Sequence, residues 1–343
     1  MVLAPRTNAE LLGHAPTEAM LAEAIRAGRL HHAWLITGPE GIGKATLAFR
    51  FARRLLAGGD PGEDLALPAG HPTFSRVAAG SHADLLTVER TLNERGKLRS
   101  EIVVDDVRRV ADFLRRTPAE GGWRVVVVDG AEDLNRNAAN ALLKVLEEPP
   151  PRAILLLVCS AAGRLVPTIR SRCRRLTLGP LDEAVVRGLL RRYQPDLDEG
   201  DAARLAGIAE GSIGRALALA EGGGATQAGL VDQVLGNLDK LDMIRAHAVA
   251  DALGRDEAAF STFMDLLSAG LAAAVRDAAR GRADPDQARL LGDRPLAAWV
   301  DVWHALKRLQ DETEGAYLDK RQAVVAGLSL LSSGLAIGPT KVS

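Results

Sequence analysis

A glycine-rich stretch, Gly38–Thr46 with the sequence GPEGIGKAT, sets the narrowest limits on the fold of this chain. It follows a short apolar run and precedes a helix-like run at residues 47–56, which is the strand, turn and helix context of a phosphate-binding loop. Glycines let successive backbone N–H groups point inward, and Lys44 can then reach the outer phosphates of a nucleotide. The alternative is an ordinary glycine-rich turn that carries a surface lysine.

One position departs from the phosphate-loop signature. The signature G-x-x-x-x-G-K-[ST] ends in a hydroxyl that binds Mg²⁺, and Gly38, Gly43 and Lys44 match it while Ala45 does not. Thr46 has a hydroxyl, but one residue along a helix turns the side chain by about 100°. The sequence therefore predicts a phosphate cradle without its metal anchor.

Apolar runs predict an α/β fold with a parallel sheet. The run at residues 124–129 has four consecutive valines before its final Asp129, which is typical of a strand buried on both faces. Asp129 ends this strand where ligands bind in open α/β sheets, although strand-end turns also favour Asp. Together the runs predict five strands, near residues 34–37, 85–88, 125–128, 154–158 and 175–178.

Composition excludes several classes of protein. The 343 residues leave room for two or three domains, and the net charge of −1 gives no global attraction to nucleic acid or anionic membranes. Two cysteines, Cys159 and Cys173, cannot form a disulfide framework or a four-cysteine zinc site. The N-terminal residues lack a signal-peptide pattern, and the mildly apolar stretch Ala323–Gly338 is too short to span a bilayer. We expect a cytoplasmic protein without membrane contact.

Helical patterns complete the prediction. We expect helices at Thr17–Ala27, with Thr17 as the N-cap, and at Asp133–Glu148, which ends before three prolines. Strand signals stop after Leu181, and Glu221–Gly224 is expected to be a glycine-rich linker.

Four stretches give the chain a family resemblance. They are Gly28–Leu35 (GRLHHAWL), which runs into the phosphate loop, Asn137–Pro150 (NAANALLKVLEEPP), Ser171–Cys173 (SRC), and residues 211–217. The sequence resembles the clamp-loader subunits of bacterial DNA polymerase III, members of the AAA+ superfamily, and is most similar to the delta-prime group. The resemblance is strong over about residues 10–220 and weak beyond.

The resemblance implies an architecture of three parts. Residues 1–180 would form an AAA+ nucleotide-binding-type core, residues 181–224 a small helical lid, and residues 225–343 a helical oligomerisation domain, or collar.

The resemblance also implies roles for individual residues. A nucleotide site would be lined by Gly38, Gly41, Gly43, Lys44, Thr46, Asp129 and Ser160. Arg172 would be an arginine finger acting in trans on the nucleotide of a neighbouring subunit, which is chemically plausible because a guanidinium stabilises charge on a γ-phosphate. The alternative for Arg172 is one member of a solvated basic cluster with its arginine neighbours.

Departures from the family pattern argue against a gamma/tau-type motor subunit. Ala45 and Gly130 replace a metal-binding hydroxyl and a catalytic glutamate, and Gly214 stands where motor subunits carry an arginine. The family's four-cysteine zinc module is absent, because residues 57–121 contain no cysteine. ATP remains the cofactor to consider, with little or no hydrolysis expected from the chain alone.

Two functions follow from this pattern. The first is a non-motor subunit of the DNA polymerase III holoenzyme, working with gamma/tau and delta subunits, the sliding clamp and primed DNA in a hetero-oligomer. The second is an active gamma/tau-like ATPase in which Thr46 or Glu132 replaces a missing group. Polymerase (nucleotidyltransferase) activity would belong to the holoenzyme, since nothing in this sequence resembles a polymerase site.

Overall fold

The computed structural model describes residues 4–92, 96–120, 122–254, 256–316 and 318–336. Within them the chain forms two compact units. The first contains the residues up to 193 together with 209–215, and the second contains 194–208 and the residues from 216 onward. The division into three domains at 180/181 and 224/225 stays a prediction, and residues 337–343 of the third lie outside the described residues.

The centre of the first unit is a parallel sheet, and its described strands are β1 (Ala33–Thr37), β2 (Leu85–Val88), β3 (Arg124–Asp129), β4 (Ala153–Cys159) and β5 (Arg174–Thr177). Their order is β2-β3-β4-β1-β5, which confirms the predicted five-stranded parallel sheet. Because β3, β4 and β1 are neighbours, their carboxyl ends meet: Thr37 is level with Cys159, and Asp129 with Val158.

Helices cover both faces of this sheet. On one face they are α1 (Ala15–Arg26), α2 (Lys44–Ala57) and α3 (Pro72–Ala78), and on the other α4 (Val104–Arg115), α5 (Arg136–Glu147) and α6 (Pro167–Arg170). The first unit also contains α7 (Glu183–Tyr193), which follows β5 in the chain. Alternate strand residues face opposite layers. Leu35 and Leu155 pack with the apolar sides of α4 and α5, whereas Trp34 and Leu156 pack with those of α1 and α2.

Three local predictions are wrong. The first helix starts at Ala15 rather than Thr17, because Pro16 is favourable in the first turn, and His14 is the N-cap. The predicted helix from Asp133 starts only at Arg136, since residues 131–133 form a 3₁₀ turn and the Asn135 side chain accepts a hydrogen bond from Ala138 N. The expected linker Glu221–Gly224 shrinks to two glycines between helices.

The second unit is helical throughout its described part. Its helices are α8 (Glu199–Ile208), α10 (Gly224–Gly236), α11 (Met243–Leu253), α12 (Glu257–Ala279), α13 (Pro285–Leu291), α14 (Leu296–Gly315) and α15 (Lys320–Ala336), while α9 (Ile213–Glu221) begins in the first unit and ends in the second. Along α14, the side chains of Trp299, Val302 and Leu306 are buried.

One helix is long and apolar enough to cross a membrane by length and composition alone. It is the part of α12 from Ala258 to Ala279, and half of its apolar window is buried within the protein. Phe260, Phe263 and Leu267 on this helix are fully buried, and α12 packs against α10 and α14. These contacts are those of a core helix in the second unit.

Candidate functional site

The phosphate loop lies where the sequence predicts it, between the end of β1 and the start of α2. Gly38, Gly41 and Gly43 have φ angles of +148°, +73° and +101°, which side-chain-bearing residues rarely adopt. A Cβ atom at Gly38 would lie 2.4 Å from the carbonyl oxygen of Leu178. The loop therefore requires glycine at these positions for conformational and steric reasons, as a backbone cradle for phosphate does.

Three groups hold the carbonyl oxygens of this loop. The Ser212 hydroxyl donates to Glu40 O over 2.8 Å, and Gly214 N donates to Gly41 O over 2.9 Å. The imidazole Nε2 of His14 lies 2.8 Å from Ile42 O. Because neighbouring parts of the first unit satisfy these carbonyls, the loop keeps its shape without a ligand. Sequence reasoning missed His14 and Ser212 as loop contacts, since no local pattern marks them.

Lys44 is the first residue of α2 and is buried, with 5% of its surface exposed. Its ammonium group donates a hydrogen bond back to the carbonyl of Pro39 within the loop. Burial lowers the pKa of Lys44, while the carboxylates of Glu132, Glu40 and Asp129 act in the opposite direction. The structure thus places a buried ammonium group inside the loop and close to acidic side chains.

Ala45 occupies the position where the phosphate-loop signature has a metal-binding hydroxyl. Ala45 packs its methyl group against the apolar layer formed by α1 and α2, and the next residue, Thr46, is buried. No oxygen ligand stands at the position after Lys44. The glycine cradle and Lys44 fit the phosphates of a nucleotide, whereas the chain lacks the hydroxyl that usually fixes Mg²⁺ there.

Asp129 ends β3 on the same edge of the sheet. Burial raises the pKa of Asp129, Glu89 adds to the increase, and Lys44 opposes it. The following residue, Gly130, has a φ angle of +82°, and a Cβ atom there would lie 3.1 Å from Asp133 Oδ2. A glutamate in this position would be strained, so the backbone itself disfavours a catalytic side chain directly after Asp129.

Glu132 is the acidic group that the structure brings into the site. Its Oε1 accepts hydrogen bonds from Ser160 N at 2.7 Å and Ala161 N at 3.3 Å, which joins the ends of β3 and β4. No N–H or O–H group of the described residues donates to its buried Oε2. Burial and the Glu132 carboxylate raise the pKa of the Cys159 thiol to about 11. Ser160 is the predicted polar sensor residue, and it donates a hydrogen bond to Glu132 through its backbone N–H.

Arg172 lies apart from these groups, just beyond α6. Its guanidinium makes an ion pair with Glu147 Oε1 at 2.8 Å and donates to Thr168 O at 3.0 Å. About a third of the side chain is exposed (36%). The contacts of Arg172 are thus with Glu147 of α5 and Thr168 of α6 rather than with the phosphate loop of its own chain.

Within the described residues, no group of three or more His, Cys, Asp or Glu side chains has the spacing of a metal site. The prediction that the family's zinc module is missing therefore continues to rest on the sequence.

The sequence comparisons find subunits of DNA polymerase III. Residues 13–182 match the family described as DNA polymerase III, delta subunit. The tau subunit of DNA polymerase III from Escherichia coli K12 is 34% identical over 247 residues, 68% of this chain and 36% of that protein. The delta-prime subunit from Pseudomonas aeruginosa is 43% identical over 147 residues, 41% of each chain. This chain therefore spans less than half the length of either relative.

One solved structure to which this chain is similar can be named. It is a protein from Thermotoga maritima described as related to the DNA polymerase III gamma subunit, which is 19% identical. The superposition covers 91% of this chain and 98% of that one, with a TM-score of 0.42.

Proposed function

We propose that this chain, whose residues 13–182 match the family described as DNA polymerase III, delta subunit, is a delta-prime-type clamp-loader subunit of the AAA+ class that does not act as a motor. It would support ATP-driven loading of the sliding clamp onto primed DNA in the cytoplasm. Its partners would be gamma/tau and delta subunits in a hetero-oligomer, with the helical second unit contributing to assembly. The chain's own contribution to chemistry would be Arg172.

The conformation after β3 is the observation that carries this proposal. Gly130 has a left-handed backbone with φ +82°, so the position of the usual catalytic glutamate is built for a residue without a side chain. Together with Ala45 this removes both the water-activating group and the metal-anchoring hydroxyl from their usual places. A chain that keeps a phosphate cradle but lacks these groups is suited to binding nucleotide without efficient turnover.

The residues present define what a bound nucleotide would meet. The N–H groups of the loop at Gly41 and Gly43 and the ammonium of Lys44 would hold the phosphates, and Asp129 would face any accompanying metal ion. Mg²⁺, if bound there, would supply positive charge that offsets the charge developing on the phosphates. Lys44 would have to exchange its hydrogen bond with Pro39 O for one with phosphate.

Arg172 would act on a neighbouring subunit's nucleotide. A guanidinium offers planar paired N–H donors that match phosphate oxygens, and it stays protonated at any physiological pH. Placed against the γ-phosphate, it stabilises the charge that develops during phosphoryl transfer, which is worth about 10³-fold or more at that site. The neighbour's turnover would then depend on assembly with this chain.

A second candidate function is favoured by Glu132. This carboxylate influences the pKa of Lys44 and has an oxygen without an N–H or O–H donor, so it is a candidate base for an attacking water. In that case the chain would be an active gamma/tau-like ATPase that hydrolyses its own ATP.

The two functions predict different results in one set of assays. ATP turnover is measured for the purified chain alone, and then with gamma/tau and delta subunits, clamp and primed DNA. The variants are Arg172→Ala, Lys44→Ala and Glu132→Gln, with Arg170→Ala as a control for general loss of positive charge near α6. We expect no significant turnover by the chain alone, and a strong loss in the complex for Arg172→Ala but not for Arg170→Ala or Lys44→Ala.

Other results would contradict the non-motor proposal. Brisk hydrolysis by the isolated chain that is abolished by Lys44→Ala and reduced by Glu132→Gln would establish the motor function instead. Equal losses for Arg172→Ala and Arg170→Ala would reduce Arg172 to one member of a basic surface.

A further inference from the structure

The ion pair between Arg172 and Glu147 joins two motifs that lie apart in the sequence. Glu147 is the last residue of α5, in the segment LEEPP, and Arg172 is the central residue of SRC. The guanidinium contacts Glu147 Oε1 at 2.8 Å through one terminal nitrogen and Thr168 O at 3.0 Å through the other. In the unassembled chain the arginine is therefore already held by an anion.

A carboxylate and a phosphate compete for the same part of an arginine. Each presents a pair of anionic oxygens that accept hydrogen bonds from the terminal guanidinium nitrogens. A γ-phosphate brought to Arg172 would also bring its negative charge close to the carboxylate of Glu147, and like charges at such distances repel. The arginine must then exchange one anion for the other.

We propose that Glu147 is a latch that holds Arg172 in the unassembled chain and is displaced by the terminal phosphate of a nucleoside triphosphate bound to the neighbouring subunit. This inference rests on the proposed function of Arg172. The hydrogen bond to the Thr168 carbonyl can persist during the exchange, because each terminal nitrogen carries two N–H groups. It therefore keeps the side chain near its position. A nucleoside diphosphate has no γ-phosphate and therefore leaves the latch closed.

The exposure of the pair limits the size of the effect. The side chains of Arg172 and Glu147 are 36% and 50% exposed. An ion pair with this exposure is worth up to about 1 kcal/mol, which corresponds to about a fivefold change in an equilibrium constant. Such a contact is strong enough to bias the arginine and weak enough for a phosphate to replace it.

The test is a binding and turnover titration with the full chain. Glu147→Gln keeps the shape of the side chain and removes its charge, and Glu148→Gln is the matched control, because Glu148 is adjacent, exposed and without an ion pair in the described part of the chain. Each variant is titrated into a gamma/tau-type subunit loaded with a nonhydrolysable ATP analogue or with ADP. The half-saturating concentration and the maximal ATP turnover of the assembled complex are recorded separately.

The latch predicts a specific pattern. Glu147→Gln lowers the half-saturating concentration by about two- to fivefold with the ATP analogue, leaves it unchanged with ADP, and does not reduce maximal turnover. Glu148→Gln changes neither quantity. In the Arg172→Ala background the effect of Glu147→Gln disappears, because there is no arginine to release.

Several outcomes would overturn the latch. A lower maximal turnover for Glu147→Gln would make Glu147 a positioning residue that stays bound to the arginine during catalysis. Unchanged or weaker binding with the ATP analogue, or equal tightening with ADP, would also contradict it. A failure of the proposed function is distinguishable, because Arg172→Ala would then leave the turnover of the complex at the wild-type value.

Discussion

Two glycines in the first unit show how a single residue can decide what this site can contain. Gly41 in the phosphate loop and Gly214 at the start of α9 meet backbone to backbone: a Cβ atom on Gly214 would lie 2.8 Å from Gly41 Cα. Motor subunits of the resembled family carry an arginine at the position of Gly214. Here any side chain would force the loop and this turn apart, so the difference is built into the packing and is not a simple loss of charge.

Replacing Gly214 should therefore destabilise the first unit. We expect Gly214→Ala to lower the free energy of unfolding by about 1–3 kcal/mol, because the new methyl group overlaps backbone atoms that cannot rotate away. Urea unfolding measures the total loss, and amide hydrogen exchange of residues 38–43 reports whether the loop loosens first.

Gly188→Ala is the control for this prediction. Gly188 lies within α7, and a Cβ atom there meets nothing within 4 Å. Alanine should stabilise that helix by up to about 1 kcal/mol. Equal stability of the two variants would show that the close approach of Gly41 and Gly214 does not constrain the protein.

At the scale of elements, α5 connects the carboxyl edge of the sheet to Arg172. It starts after the 3₁₀ turn at residues 131–133, where Ile102 pairs with the stretch that precedes the helix. Its N-cap is Asn135, whose Oδ1 accepts a hydrogen bond from Ala138 N at 2.9 Å. At its other end stands Glu147, which contacts Arg172. The helix thus spans the distance between the carboxyl edge of the sheet and Arg172.

Loss of the cap should weaken this helix measurably. We expect Asn135→Ala to lower the free energy of unfolding by about 1 kcal/mol, since the N–H of Ala138 loses its acceptor. Denaturant unfolding measures the change. Asn140→Ala, at an exposed position in the middle of the same helix, should be neutral or stabilising, and a loss for Asn140→Ala as large as that for Asn135→Ala would argue against a capping role.

For the first unit as a whole, the two edges of the sheet have opposite character. The carboxyl edge carries Lys44, Asp129 and Glu132, whereas the amino edge carries two histidines, the buried His82 and the half-buried His32. His32 precedes β1 and its Nε2 lies 3.1 Å from Leu146 O, and His82 precedes β2 and accepts a hydrogen bond from Asp84 N through Nδ1 at 3.2 Å. Burial lowers the pKa of both imidazoles below 6.5; the neighbouring His31 lowers that of His32 further.

These histidines should make stability depend on pH. Because the folded state binds their protons less readily than the unfolded state, the stabilisation is complete above pH 6.5 and is lost as the pH falls below that value. We expect the thermal midpoint to fall between pH 7.5 and pH 5.5, and to fall less in the variant His32→Gln/His82→Gln. The raised pKa of Asp129 acts in the opposite direction, so the comparison of slopes between the two proteins isolates the histidines. Identical slopes would contradict this prediction.

The sequence by itself determined the strands, the phosphate loop and the residues missing from it. Continuous β-branched runs have few alternatives to buried parallel strands, and the spacing of Gly38, Gly43 and Lys44 is a local property of the chain. The sequence does not predict the start of α5, because a 3₁₀ turn and a helix share the same short-range pattern. The backbone of Ile102, which is distant in the chain, bonds to Asp133 and Asn135 just before the helix.

Only the tertiary structure decided which groups meet. His14 and Ser212 hold the loop carbonyls from positions far away in the chain, Glu132 joins Ser160 across the strand ends, and Glu147 reaches Arg172 from another helix. Each of these contacts depends on strand order and on the direction of a side chain. Spacing along the sequence encodes neither, because the geometry arises only when separate elements pack on one sheet.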